Sequence, residues 1–152
     1  MSTHRHGDVI FDESCFPVIY QTFPARLDWE AVERYCRQFE RYLERGEPFV
    51  SVADATAVTE RSVPTVRKRL ADWTRETEPD FVRLSKGDAR VVQNAIIRST
   101  MTAINWLHKS PVPQEWFTSA DQAMGWAIAR LDAAYVFVPA AVRDRALKRV
   151  AR

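Results

Sequence analysis

One stretch constrains the fold more than any other: Pro48-Phe49-Val50-Ser51-Val52-Ala53-Asp54. It is a short apolar run between a helix stop at Gly46 and a polar turn that opens at Asp54. This reads as a buried strand whose carboxyl end runs into a loop. In open α/β sheets, ligands and partners are met at that end. Helical periodicity on both sides of the run makes it the middle of a strand-helix-strand alternation.

Before it, Asp8–Asp12 and Pro17–Phe23 are β-branched and aromatic, and Glu13-Ser14-Cys15-Phe16 joins them. So short a connection predicts an antiparallel hairpin. Val18, Tyr20 and Thr22 then face one way, and Ile19, Gln21 and Phe23 the other. Asp28 predicts an N-cap, without the glutamate that would complete a capping box. Trp29, Val32, Cys36, Phe39 and Leu43 recur at steps of three and four, which predicts one buried helix face. The Glu/Arg mixture on the other side reads as a solvated face.

After the central run, Asp54 to Arg61 is polar, Ser62 is the expected N-cap, and Pro64 fits a first helical turn. Val63, Val66, Leu70, Trp73 and Thr77 share a face, and the helix is expected to stop before Pro79. Gly87–Gln93 reads as a strand, and Asn94 as the cap of an apolar helix bearing Ile96, Ile97, Met101, Ile104 and Leu107. Gln114–Phe117 reads as a short edge strand. Thr118 or Ser119 caps a helix with the stripe Ala120, Ala123, Met124, Ala127, Ile128 and Leu131. Past Pro139 a short helix carries Val142, Ala146 and Val150 on one side and Arg143, Arg145, Lys148 and Arg149 around it. The expected architecture is α/β: a mixed sheet of about five strands with four helices, ordered ββαβαβαβα, plus a short C-terminal basic helix.

Composition narrows the function classes. The 152 residues suit one domain with a real core. A net charge of +2 does not argue for nucleic acid. No apolar run approaches the roughly 20 residues that span a bilayer, and the first residues lack a signal-peptide stretch. The cytoplasm is therefore expected. Cys15 and Cys36 read as buried free thiols. Residues 1–7 read as a disordered terminus, residues 8–134 as the domain and 135–152 as a basic tail. His4 and His6 sit in that terminus, with no partner near in sequence to complete a metal site.

No catalytic constellation emerges. The four Gly are scattered, so there is no phosphate loop. His108 reads as a helix-terminal residue beside Lys109. Asp54 with Thr56 and Thr59 is the one cleft-like polar cluster, at a strand's carboxyl end. The expectation is a chain that is not an enzyme and holds no metal or cofactor. The five Trp suggest a well-filled core or a face for a partner.

The chain resembles the STAS-like domains, the group of bacterial anti-sigma-factor antagonists, in its divergent small members. The resemblance rests on Phe49-Val50-Ser51-Val52-Ala53-Asp54, on Asn94-Ala95-Ile96-Ile97-Arg98-Ser99 leading into Thr102–Leu107, and on Pro113–Phe117 with its following helix. It covers roughly Asp8 to Leu131. In phosphoregulated members, a Ser in an Asp-Ser-Ser-Gly type turn opens the helix after the central strand, and a partner kinase phosphorylates it. Here the turn is Arg61-Ser62-Val63-Pro64, with a Ser but neither the Asp-Ser pair nor the Gly.

The resemblance implies a regulatory or scaffold domain that binds protein, a second copy of the chain being one candidate partner. Its site residues are then Ser62, Asp54, Thr56, Arg61 and Arg67. Phosphate at Ser62 would meet the positive end of a helix near Arg61 and Arg67. Two alternatives stay open: a small-ligand or lipid-binding module, and binding to an anionic surface or nucleic acid through Arg143, Arg145, Lys148 and Arg149.

Overall fold

A computed structural model of the chain describes residues 7–99 and 110–150, with side chains through residue 146. The strands are β1 Ile10–Asp12, β2 Val18–Thr22, β3 Phe49–Asp54, β4 Ser85–Val91 and β5 Gln114–Phe117. The helices are α1 Trp29–Glu44, α2 Pro64–Leu84, α3 Ala120–Ala133 and α4 Ala140–Val150. A helical start at residues 95–99 lies between β4 and β5.

The five strands form one sheet in sequence order, β1-β2-β3-β4-β5. β1 pairs antiparallel with β2, Ile10 opposite Thr22. The other three pairings are parallel, with Val18 opposite Val50, Ala53 opposite Arg90, and Asp88 opposite Gln114. The run picked out first in the sequence is thus the central strand, and the edge-strand expectation for Gln114–Phe117 holds.

From β2 to β4 both crossovers, through α1 and α2, step in one direction. Right-handed connections then place their helices on one face of the sheet. On that face α1 and α2 pack over Ile19 and Phe49. On the other, α3 and α4 pack over Val18, Tyr20, Val50, Val52, Ala89 and Val91. Both faces of β3 are covered, which is why its sequence is a continuous apolar run rather than an alternation.

Phe39 is the centre of the first layer. Its ring lies 5.6 Å from Trp73, 5.9 Å from Phe49 and 5.1 Å from Phe81. Trp73 donates its indole N–H to Glu40 across the helix pair at 2.9 Å, and Arg69 Nε meets Glu33 at 2.6 Å.

The cap at Asp28 is as expected, its carboxylate accepting from the Ala31 amide at 2.8 Å. Gly46, at φ +66°, ends the approach to β3 in a conformation that glycine adopts without strain. Asn94 accepts from the Ile96 and Ile97 amides, and Ser119 caps α3. Cys15 and Cys36 are buried free thiols.

Four local expectations are corrected. The helix does not stop before Pro79 but runs through it to Leu84. An interior proline costs about 3 kcal/mol. Continuing the helix places Phe81 against Phe39, Phe49 and Trp73, and each aromatic contact adds about 0.5–1.5 kcal/mol beyond burial. The N-cap of α2 is Val63, which carries no capping side chain, so Ser62 lies one residue before the cap. Val63 accordingly leaves the buried face and is 49% exposed. Trp29 and Ile96, each in the first turn of its helix, are also exposed rather than buried. Finally, β4 begins two residues earlier than Gly87, because Ser85, Gly87, Ala89 and Val91 alternate inward along it.

His4, His6, Met101, Ile104, Leu107 and His108 lie outside the described residues, as do the side chains of Lys148, Arg149 and Val150.

Candidate interaction surface at the end of the central strand

The loop from Ala55 to Val63 leaves the carboxyl end of β3 and is braced at its base. The Ala55 amide donates to Val91 O at 2.8 Å, and the Phe23 amide to Asp54 O at 2.9 Å. Asp54 itself is buried among apolar neighbours. Its Oδ2 accepts from the Tyr20 hydroxyl at 2.5 Å, and its Oδ1 accepts from the Thr56 amide at 3.1 Å. Aspartate is suited to this place because one carboxylate satisfies two donors and turns the chain.

Further along, the Thr59 and Glu60 amides both donate to Ala25 O at 3.1 Å, and Arg26 pairs with Glu60 at 3.8 Å. The loop is therefore laced to the segment before α1. Its tip presents Arg61 and Val63 to solvent, with Ser62 half-buried between them. Among the described residues, Arg61 and Arg67 enter no ion pair.

The sequence-nominated residues thus divide. Asp54 and Thr56 come together as a brace, with the Asp54 side chain on the α3/α4 side of the sheet. Ser62, Arg61 and Arg67 line the outer rim at the start of α2. Of the tail residues, Arg143 forms a two-pronged pair with Asp132, one prong at 3.1 Å. Arg145 reaches Asp12 Oδ2 at 3.0 Å and Ser14 Oγ at 2.5 Å. Both arginines are engaged within the chain. Burial pushes the Asp12 carboxyl up, but hydrogen bonds from Ser14 and Cys15 and the Arg145 charge together hold the group below its ordinary range.

A second polar group, unpredicted by the sequence reading, lies on the α1/α2 face of the sheet. Asp88 on β4 accepts from Ser51 Oγ at 3.1 Å and from Gln114 at 3.1 Å, and pairs with Arg90 at 3.3 Å. The Arg90 guanidinium lies 5.5 Å from the Trp116 ring centre. Nearby, Tyr35 donates to Gln21 at 3.1 Å, and burial raises its phenol above the usual range. The available signal was the every-second-residue placement of Lys86, Asp88 and Arg90 between small inward residues.

Chemically, these are hydrogen-bond braces and ion pairs. Among the described residues, no three His, Cys, Asp or Glu side chains converge on a metal-sized space. No described helix is long and apolar enough to cross a membrane.

This sheet order, with α1 and α2 on one face and the α3/α4 pair on the other, is that of a STAS-like fold. Solved structures are similar to the chain. One is a protein of the DUF3478 family with a SpoIIAA-like fold from Shewanella loihica PV-4. The match has a TM-score of 0.63 and 18% identity, and covers 84% of this chain and 98% of that one. Another is an anti-sigma factor antagonist from Mycobacterium paratuberculosis, with a TM-score of 0.50 and 12% identity, covering 79% of this chain and 92% of that one. At these identities the likeness is one of fold. No protein-family model and no curated protein matches the sequence.

Proposed function

We propose that the chain is a non-enzymatic regulatory domain that binds a protein partner through the loop after β3 and the start of α2. One observation carries this reading. The loop is hydrogen-bonded at its base to Asp54, itself held by Tyr20, and to Ala25, while its tip offers Arg61 and Val63 outward with Ser62 half-buried between them. A braced base with an exposed, chemically mixed tip suits recognition by a rigid scaffold. A fold neighbour's designation as an anti-sigma factor antagonist supports a regulatory role exercised on protein. Residues 8–134 are assigned to this domain and 135–152 to a C-terminal extension. The working compartment is the cytoplasm, and a second copy of the chain is one partner to test.

Ser62 is the modification point within this reading. It precedes the start of α2, whose N-cap Val63 carries no capping side chain and where a phosphate would meet the positive end of the helix near Arg61 and Arg67. Affinity capture from the source organism's lysate, comparing wild type with Ser62→Asp and Arg61→Glu, tests the proposal. A partner held by wild type and lost by both variants is the expected result. Equal capture by all three would remove the loop from the interface.

A further inference from the structure

We propose that α4 is a releasable strap: it lifts from the β1–β2 end of the sheet as a unit, about the connector at residues 134–139, while the rest of the fold stays closed. Its release uncovers the Cys15 thiol.

The connector carries local backbone strain and little packing of its own. α3 ends with the Val136 amide bonded to Leu131 O and the Tyr135 amide to Asp132 O, a pairing that places Tyr135 in the left-handed region at φ 58°. Glycine is the usual residue there, and a side chain costs roughly 1–2 kcal/mol. The tyrosine gains nothing back from packing, because it is 97% exposed, and Phe137 is 82% exposed. Only Val136 and Val138 turn toward the core.

Through residue 146 the strap is lightly held. Over that span α4 inserts only Val142 and Ala146 into the layer beneath it. Among the described residues, its polar ties Arg143 to Asp132 and Arg145 to Asp12 are partly exposed ion pairs. Such pairs contribute about 0–1 kcal/mol each and weaken with salt. The opposite face is held by Phe39, Phe49, Trp73 and Phe81 in mutual contact. Elements with few apolar contacts open below the global unfolding free energy.

What the strap covers is specific. Arg145 Nη1 lies 3.4 Å from Cys15 Sγ, and Cys15 is buried in the same cluster as Val142 and Ala146. Tyr20, the residue that braces Asp54, belongs to that cluster too. Cys36, on α1, lies in the layer on the other side of the sheet and serves as an internal reference.

The test is N-ethylmaleimide labelling of the full chain, with each cysteine followed by mass spectrometry across a urea series. Cys15 is expected to label at least about tenfold faster than Cys36, with a urea slope well below that of global unfolding, because opening α4 exposes little surface. Arg143→Ala touches neither thiol and should accelerate Cys15 by roughly two- to fivefold. Phe39→Leu destabilises the strapped and the opened forms alike. It should therefore accelerate Cys36 by about tenfold and leave Cys15 unchanged. Equal labelling of both cysteines with one urea slope, or acceleration of both by Phe39→Leu, would show that α4 opens only with the whole domain. An unaltered Cys15 rate in Arg143→Ala would equally overturn the strap.

Discussion

Replacing Tyr20 with phenylalanine isolates the brace under the loop. The two side chains differ by one hydroxyl, so no cavity opens in the α3/α4 layer. The lost hydroxyl donates to Asp54 Oδ2 at 2.5 Å, and both residues are buried, at 7% and 9% exposure. A hydrogen bond to a carboxylate contributes about 1.5–3 kcal/mol, and a buried acceptor left without its donor keeps its desolvation cost. Asp54 would retain the Thr56 amide on Oδ1, which caps the loss.

The expected destabilisation is therefore about 2 kcal/mol, or roughly 4–8 °C in Tm for a chain of this size. Urea unfolding at neutral pH measures it directly. Asp54→Asn, alone and combined with Tyr20→Phe, completes a double-mutant cycle. A coupling of at least about 1 kcal/mol is expected for groups in direct contact. A loss below about 0.5 kcal/mol in Tyr20→Phe, with additive effects in the cycle, would refute the idea that this bond anchors the loop. If the bond is the anchor, the Thr56 amide should also exchange faster with solvent in the variant.

Three other outcomes follow from the packing. Phe39→Ala should cost about 3–5 kcal/mol by denaturant unfolding, since it empties the centre of the α1/α2 layer. Gly87→Ala should destabilise by about 1–3 kcal/mol, because a Cβ there would stand 2.8 Å from the Trp126 ring, and Trp126→Leu should recover part of the loss. Burial pushes the Cys36 thiol up to about 11 from an ordinary value of 9.0. The folded state thus binds the thiol proton more tightly than the unfolded chain does. The resulting stability is present below about pH 9 and is lost as the pH rises toward 11. Cys36→Ala should flatten that alkaline limb, measured by thermal unfolding between pH 8 and 11.

Much of this was legible in the residues. Phe49–Asp54 could be placed as the central strand because its polarity changes sharply at both ends and nothing distant is needed to explain it. The caps at Asp28, Asn94 and Ser119 were readable for the same reason, each being a side chain that satisfies an amide two or three residues on. Pro79 misled the reading because local backbone preference argues for a stop. The packing of Phe81 against rings from α1 and β3, remote in sequence, outweighs it. Ser62 was misplaced by a single position, within the ordinary ambiguity of helix ends.

The sequence by itself determined the alternation of strands and helices and the central place of Phe49–Asp54. Those are properties of local periodicity and residue type. Only the tertiary structure decided that Asp54 is a buried brace for Tyr20 and Thr56, that Asp88 gathers Ser51, Arg90 and Gln114, and that Arg145 closes over Asp12, Ser14 and Cys15. Each of these joins side chains from different elements. Their partners are chosen by sheet register and helix packing, which no stretch of neighbouring residues encodes.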